Sequence, residues 1–340
     1  FTSQAMLGCV NDNIASRGVT AKPQGEFWAY QTDGNFDCLD AASAAHLYGH
    51  RIASGEAFTD TPYFLPADST DTGWKERGWH RLLRIANIAY CRGLNEFVVC
   101  ASTYQPWLDR KYDDDQSAHP YIFHRLNPAW DKSREHFWEY QARCSQMLRE
   151  GRPVVDILVY LGDEVPVKTM TYKLPDIPEG YQFDCATAAS LRRWMDSPSE
   201  LSPDYKVLAV QGRSSVTAES ERMFEELGKR GMIIVRCDRG ETLAEALDRH
   251  GLKPDIRIES RDMPDNKVHF YHRTTPEADI YFIYNHSSEP YKAPIELREP
   301  STDLELWDPL TLERRRPDES VPAVTLEPYS SVFLIAHKER

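Results

Sequence analysis

Two glutamates set the chemistry open to this chain. Glu56 stands in Ile52-Ala-Ser-Gly-Glu-Ala-Phe-Thr, with small residues before it and an aromatic close behind, and Glu26 stands in Gln24-Gly-Glu-Phe-Trp. Hydrolysis of a glycosidic bond by inversion needs two carboxyl groups about 6.5–9.5 Å apart. One donates a proton to the leaving oxygen while the other activates water on the opposite face. An acid at a strand terminus is ordinarily just solvated, but the small and apolar neighbours of Glu56 argue for a crowded, functional position. Beside Glu26, the pair Phe27-Trp28 offers an apolar platform on which a sugar face stacks, with Trp28 as the substrate contact. The alternative for Glu26 is a surface turn flanked by core aromatics.

Other residues join as candidates. Asp37 and Asp40 precede or open a small-residue helix and are either solvated or part of a hard-cation site, since Ca2+ takes six to eight oxygen ligands. His46, in Ala41-Ala-Ser-Ala-Ala-His-Leu-Tyr-Gly, is a candidate substrate contact, although a histidine on such a helix is more often packed and hydrogen-bonded. The Asn95-Glu96 pair opens a strand instead of ending one, which puts Glu96 at the wrong end for catalysis. Tyr104, Gln105 and Trp107 follow an apolar strand, and His124, Arg125 and Trp130 lie near the end of a long polar loop. All are positioned to stack on or hydrogen-bond to a sugar.

The elements that must position these residues come in three textures. From 1 to 151, strand-like runs alternate with helical ones: helix 4–16, strand 19–22, helix 41–48, strand 51–54, helix 74–91, strand 97–101 and helix 131–150. Repeated strand-then-helix units mean a parallel sheet, and the economical architecture is the C-terminal part of a (β/α)8 barrel whose earlier units lie upstream of Phe1. Glu26, Glu56 and the loop at 102–107 would all follow strands, the end where barrel active sites form. From 152 to 258 the pattern restarts with Val154–Tyr160 and continues as helix 185–195, strand 206–211, helix 219–230, strand 232–236 and helix 241–250. This reads as an open α/β, flavodoxin-like domain. Its first connection, from Tyr160 to Pro166, has no GxGxxG, so no dinucleotide is expected there. From 259 to 340 short strands alternate with turns (268–272, 279–285, 295–298, 304–307, 323–326, 331–337), as in a small antiparallel β-sandwich.

Composition supports folded domains and narrows the partners. The 340 residues are 41% hydrophobic, carry a net charge of −13 and hold no basic stripe, so nucleic acid is not an expected partner. No apolar run approaches the roughly 20 residues that span a bilayer, and no membrane is expected. The seven cysteines are odd in number and scattered without metal spacing, which reads as buried free thiols. Oligomeric state is not legible.

The string from Ala42 through His46 and Gly55-Glu56 to Thr59 resembles a signature of glycoside hydrolase family 106, the α-L-rhamnosidases. Further matches follow in order: Gly25-Glu-Phe-Trp, Gly93-Leu-Asn-Glu-Phe-Val, Tyr104-Gln-Pro-Trp, Tyr140-Gln-Ala-Arg-Cys, Gly151-Arg-Pro-Val-Val-Asp, Pro178-Glu-Gly-Tyr-Gln-Phe-Asp, Ala278-Asp-Ile-Tyr-Phe and Leu306-Trp-Asp-Pro. The resemblance implies an inverting glycosidase of periplasmic or extracellular location, acting on terminal α-L-rhamnosides of a carbohydrate substrate with Ca2+ assistance. It makes Glu56 the general base and Glu26 a second active-site acid, either a calcium ligand or the base with the two roles reversed, and it puts the proton donor upstream of Phe1. The family often has His where this chain has Cys100 and Tyr104. A non-catalytic carbohydrate-binding or structural relic is the competing expectation, and a retaining β-galactosidase-like hydrolase is a third.

Overall fold

The computed structural model describes residues 2–4, 11–28, 36–59, 79–100, 134–169, 173–212, 215–258, 268–317 and 323–338. Its first unit is a parallel sheet of β1 (Thr2–Gln4), β2 (Lys22–Trp28), β3 (Ser54–Thr59) and β4 (Glu96–Val99), in spatial order β1-β2-β3-β4. Helices follow the strands in turn: α1 (Asn13–Gly18), α2 (Phe36–Tyr48), α3 (Trp79–Cys91) and α4 (Arg134–Met147). Residues of α2, α3 and α4 share one core with Phe27, Ala57 and Phe58 of the sheet. In register, Gly25, Phe27, Gly55, Ala57, Phe97 and Val99 alternate with a second set, Gln24, Glu26, Ser54, Glu56, Glu96 and Val98. The second set therefore occupies the face away from that core.

Helix α2 is buried nearly all round, its polar side chains included, and its neighbours explain why. Cys38, Ala41, Ala42 and Ala45 pack into the first core, while Leu39, Ala44 and Leu47 pack into the core of the next unit. A helix held between two layers has no solvated face to keep polar. Its alanines favour the helix and let both layers approach.

Strands β2 and β3 begin three residues later than the sequence pattern predicts, while β4 begins one residue earlier. The helix expected at 4–16 is β1 followed by α1, which Asp12 caps by accepting from the backbone of Ile14 and Ala15 (3.1 and 2.9 Å). Val19 closes that helix at 76% exposure instead of opening a strand. Strand β2 was obscured by Pro23 and Gly25, both poor strand formers, and β3 by Ser54-Gly55-Glu56. Glu26 and Glu56 accordingly lie within their strands, not after them.

After β5 (Arg152–Pro153) comes the open α/β unit, built from β6 (Ile157–Gly162), β7 (Phe183–Thr187), β8 (Val207–Val210) and β9 (Ile233–Arg236). All pair in parallel, in the order β7-β6-β8-β9. Helices α5 (Ala188–Asp196), α6 (Ala218–Lys229) and α7 (Leu243–His250) complete it, each opened by a threonine cap. The helix expected from 185 begins only at Ala188, because Phe183–Thr187 is a fully formed strand with a buried acid, Asp184.

The remaining strands are β10 (Ile256–Ile258), β11 (Val268–Thr274), β12 (Ala278–Asn285), β13 (Tyr291–Leu297), β14 (Leu304–Trp307), β15 (Arg314–Arg315), β16 (Ala323–Leu326) and β17 (Ser331–His337). They form a six-stranded sheet, β15-β14-β17-β12-β11-β5, and a three-stranded sheet, β10-β13-β16, which bury a common core. The boundaries at 152 and 258 therefore shift: β5 and β10, assigned by sequence to the α/β unit, pair with sandwich strands. Among the described residues no helix is long and apolar enough to cross a membrane.

Candidate active site

The register of the first sheet builds the site. Glu26 on β2, Glu56 on β3 and Val98 on β4 are direct partners in one row across three parallel strands. Each glutamate follows a glycine, and Gly25 is needed where it stands because a side chain there would meet backbone. A Cβ on Gly25 would lie 2.5 Å from the Asp37 carbonyl oxygen, and one on Gly55 would lie 2.6 Å from Leu94 Cδ1. Helix α2 thus presses against β2 behind Glu26, and the Leu94 side chain from the turn before β4 lies behind Glu56. A repeated Gly-Glu, with the glycine on the packed face and the acid on the other, is the sequence signal of this row.

Further contacts fix the surroundings of each acid. The Glu26 backbone N–H donates to Asp37 Oδ2 (2.7 Å), and Asp37 Oδ1 accepts from Arg17 (2.6 Å). Arg17 is fully buried, 3.6 Å from Asp40, which also accepts from the Thr169 hydroxyl. Burial raises the Asp40 carboxyl to about 6 against the opposing pull of Arg17. Asp37 and Asp40 are therefore neither solvated acids nor cation ligands on the glutamate row; they hold a buried guanidinium behind the sheet.

Around Glu56, the strand ends in a bulge. Phe58 adopts φ +63, a region costly for a bulky residue, while its ring is buried at 5.1 Å from Phe27 and 5.7 Å from Phe137. The extra residue sets Thr59 opposite Trp28, and the Thr59 hydroxyl donates to Glu56 Oε1 (3.2 Å). Cys100, just past β4, lies close enough to Glu56 and Thr59 for both to act on its thiol. Burial, then Glu56, pushes that thiol up to about 12. Trp28 closes β2 half-buried at the same end of the sheet.

His46 is placed elsewhere, which corrects its assignment as a substrate contact. It is 3% exposed, with Nδ1 2.7 Å from Asp184 and Nε2 3.0 Å from the Tyr271 hydroxyl. Asp184 also accepts from Tyr205 (2.7 Å), so this polar cluster joins α2, the α/β unit and the sandwich. With both ring nitrogens engaged and water excluded, nothing remains for a sugar. Glu96 behaves as its strand-opening position implied: Lys22 and Arg149 pair with it at 2.6 and 3.2 Å. Tyr104, Gln105, Trp107 and His124, with Arg125 and Trp130, lie outside the described residues.

Calcium takes hard oxygen donors, and Glu26 and Glu56 are of that kind. Among the described residues, however, no group of three or more acidic, histidine or cysteine side chains is gathered to hold a metal. The described part of the site does not by itself make a calcium site.

Comparison with known proteins places this geometry. The model of an α-L-rhamnosidase glycoside hydrolase family, number 106, matches residues 2–238 and again 214–316. A rhamnosidase from Novosphingobium sp. PP1Y shares the fold with a TM-score of 0.78 at 21% identity, over 97% of this chain and 36% of that one. A catalytic mutant of Gan42B, a GH42 β-galactosidase from G. stearothermophilus, aligns with a TM-score of 0.54 at 11% identity, over 99% of this chain and 63% of that one. A protein from Formosa agariphila named "Putative beta-glucuronidase" is 27% identical over 83% of this chain and 26% of its own length. The chain thus spans 26% of the length of the Formosa protein and 36% of the Novosphingobium rhamnosidase.

Proposed function

The chain belongs to glycoside hydrolase family 106, the α-L-rhamnosidases, and we propose that it contributes the water-activating half of an inverting glycosidase site acting on terminal α-L-rhamnosides. The observation that carries this reading is the row itself: two carboxylates side by side on the face of a parallel sheet that its helices leave free. Sequential strand order with helices on one face is the signature of a singly wound barrel arc, and we read the four strands as part of a (β/α)8 barrel.

Within the pair the roles divide. Neighbouring strands lie about 4.8 Å apart, less than the roughly 6.5–9.5 Å between the acid and base of an inverting enzyme. Glu26 and Glu56 are therefore not the complementary pair, and the proton donor is assigned to a barrel strand beyond these four. Glu56 is the general base: the Thr59 hydroxyl and the Cys100 thiol converge on its carboxylate and orient it toward water. Glu26 orients the sugar, by hydrogen bonds to hydroxyls or as one ligand of a cation completed by groups outside the described residues. Trp28 supplies the stacking surface.

The same spacing favours one other reading. Carboxyls about 5–5.5 Å apart are those of a retaining glycosidase, with one of the two glutamates as nucleophile. Proton NMR of the first sugar released by the complete polypeptide separates the two. The inverted anomer supports Glu56 as base, and the retained anomer replaces it with a covalent mechanism. Saccharide binding without turnover would leave a carbohydrate-binding relic instead.

A further inference from the structure

At the other end of the first sheet a cation stands without an anion among the described residues. Arg92 follows α3 in the turn closed by Gly93 (φ +96), which leads through Leu94 and Asn95 into the start of β4. Its backbone N–H is satisfied by Ile88 and Ala89. Its guanidinium has no carboxylate, carbonyl or hydroxyl partner among the described residues, and the nearby thiols of Cys91, Cys38 and Cys185 are kept neutral by burial. Burial accordingly pulls the guanidinium below its ordinary range.

The side chain borders a cleft of about 270 Å3 between α3, the segment 177–183 and the strands β10 and β11. Ile88, Ile177, Phe183, Ile256 and Val268 supply apolar walls. The polar groups there are already committed: Tyr181 donates to the Leu252 carbonyl and Gln182 to the Phe270 carbonyl. His269 is held at about 4 by burial and by Arg92 beside it, so it is neutral at pH 7 and does not compete for an anion. Glu179, on the rim, is exposed.

A half-buried guanidinium that lines a cleft and has no partner among the described residues is available to an anion that enters it. A guanidinium is the side chain whose donor fork matches a carboxylate in two parallel hydrogen bonds. We propose that the Arg92 cleft is a second ligand site, separate from the Glu26–Glu56 row, that binds one small carboxylate-bearing molecule of monosaccharide size. The carboxylate lies on the Arg92 guanidinium and the body of the molecule lies against the apolar walls. The volume, just under the usual range for drug-sized pockets, sets the limit of one small molecule.

The test is calorimetric titration of the complete polypeptide with D-glucuronate, D-glucose and inorganic sulfate. Saturable binding of glucuronate but not glucose is expected, with affinity falling about tenfold or more in Arg92→Gln. Ile177→Trp, which fills the cleft and leaves the charge, should abolish binding as well. Because Arg92→Gln removes no partner, its unliganded melting temperature should equal or exceed that of the parent. Binding of sulfate with none of glucuronate, glucuronate binding undiminished in Arg92→Gln, or a melting temperature lowered by that substitution would each overturn the assignment.

Discussion

Glu26 and Glu56 are direct register partners on adjacent parallel strands, each preceded by a glycine whose missing side chain admits close packing behind it, helix α2 at Gly25 and the Leu94 side chain at Gly55. The row fixes where the carboxylates stand before any side-chain contact is considered. What tunes them comes from the strand ends: Thr59 and Cys100 for Glu56, and the Arg17–Asp37 pair behind Glu26.

The Thr59 hydroxyl is the contact on Glu56 most directly open to substitution. Thr59→Val should lower kcat about tenfold, the value of a hydrogen bond to a charged group, with KM changed little. Thr59→Ser should restore most of the loss. A melting curve run alongside separates this from simple destabilisation, because only the positioning role is rescued by serine.

Gly25 should tolerate no side chain. Gly25→Ala drives a Cβ against the Asp37 carbonyl oxygen at 2.5 Å, backbone that cannot swing away, and should cost about 1–3 kcal/mol. Gly228, inside α6 with its nearest neighbour at 3.7 Å, is the matched control. Gly228→Ala should stabilise by about 0.5–1 kcal/mol. Denaturant titration of both variants measures the contrast.

His46 separates structure from catalysis. His46→Leu leaves the Asp184 and Tyr271 groups short of a partner and should cost about 1–3 kcal/mol of stability, while KM for a rhamnoside stays unchanged. A raised KM at unchanged stability would return His46 to the substrate.

Stability should fall on both sides of a plateau through one buried pair. His272 lies 2.8 Å from Asp255 and 3.3 Å from Asp279, stacked on Tyr281, with Lys338 also on Asp279 at 3.0 Å and Arg298 nearby in the same cleft. Burial opposes a low Asp279 value, yet His272, Thr274 and Lys338 hold it down to about 2. Its contribution is present above the ordinary carboxyl value near 3.9 and is lost as pH falls toward 2. Burial likewise opposes protonation of His272, but the two carboxylates outweigh it and raise its value. That contribution is present below about 6.5 and is lost as pH rises through the raised value. Melting temperature against pH should show both limbs, and His272→Gln should flatten the alkaline one.

Much of this was legible in the sequence, and the failures have physical causes. The apolar runs at Val154–Tyr160 and Leu304–Trp307 announced strands because buried strands need little else. Strands β2, β3 and β7 were displaced or missed because each carries Gly, Pro or an acid where a strand normally carries branched apolar residues. These are the same residues that admit the helices, form the row and accept from His46. The acids of the row were found by their neighbours. The packed role of His46 needed Asp184, 138 positions away, and no local pattern joins them.

The central claim is that Glu56, not Glu26, activates the water. Rhamnose release from a rhamnoside by the complete polypeptide, compared for Glu56→Gln and Glu26→Gln at matched melting temperature, tests it most directly. The account predicts that Glu56→Gln lowers kcat about 10²–10⁴-fold with KM little changed, and that Glu26→Gln acts mainly on KM. Undiminished kcat in Glu56→Gln would contradict it.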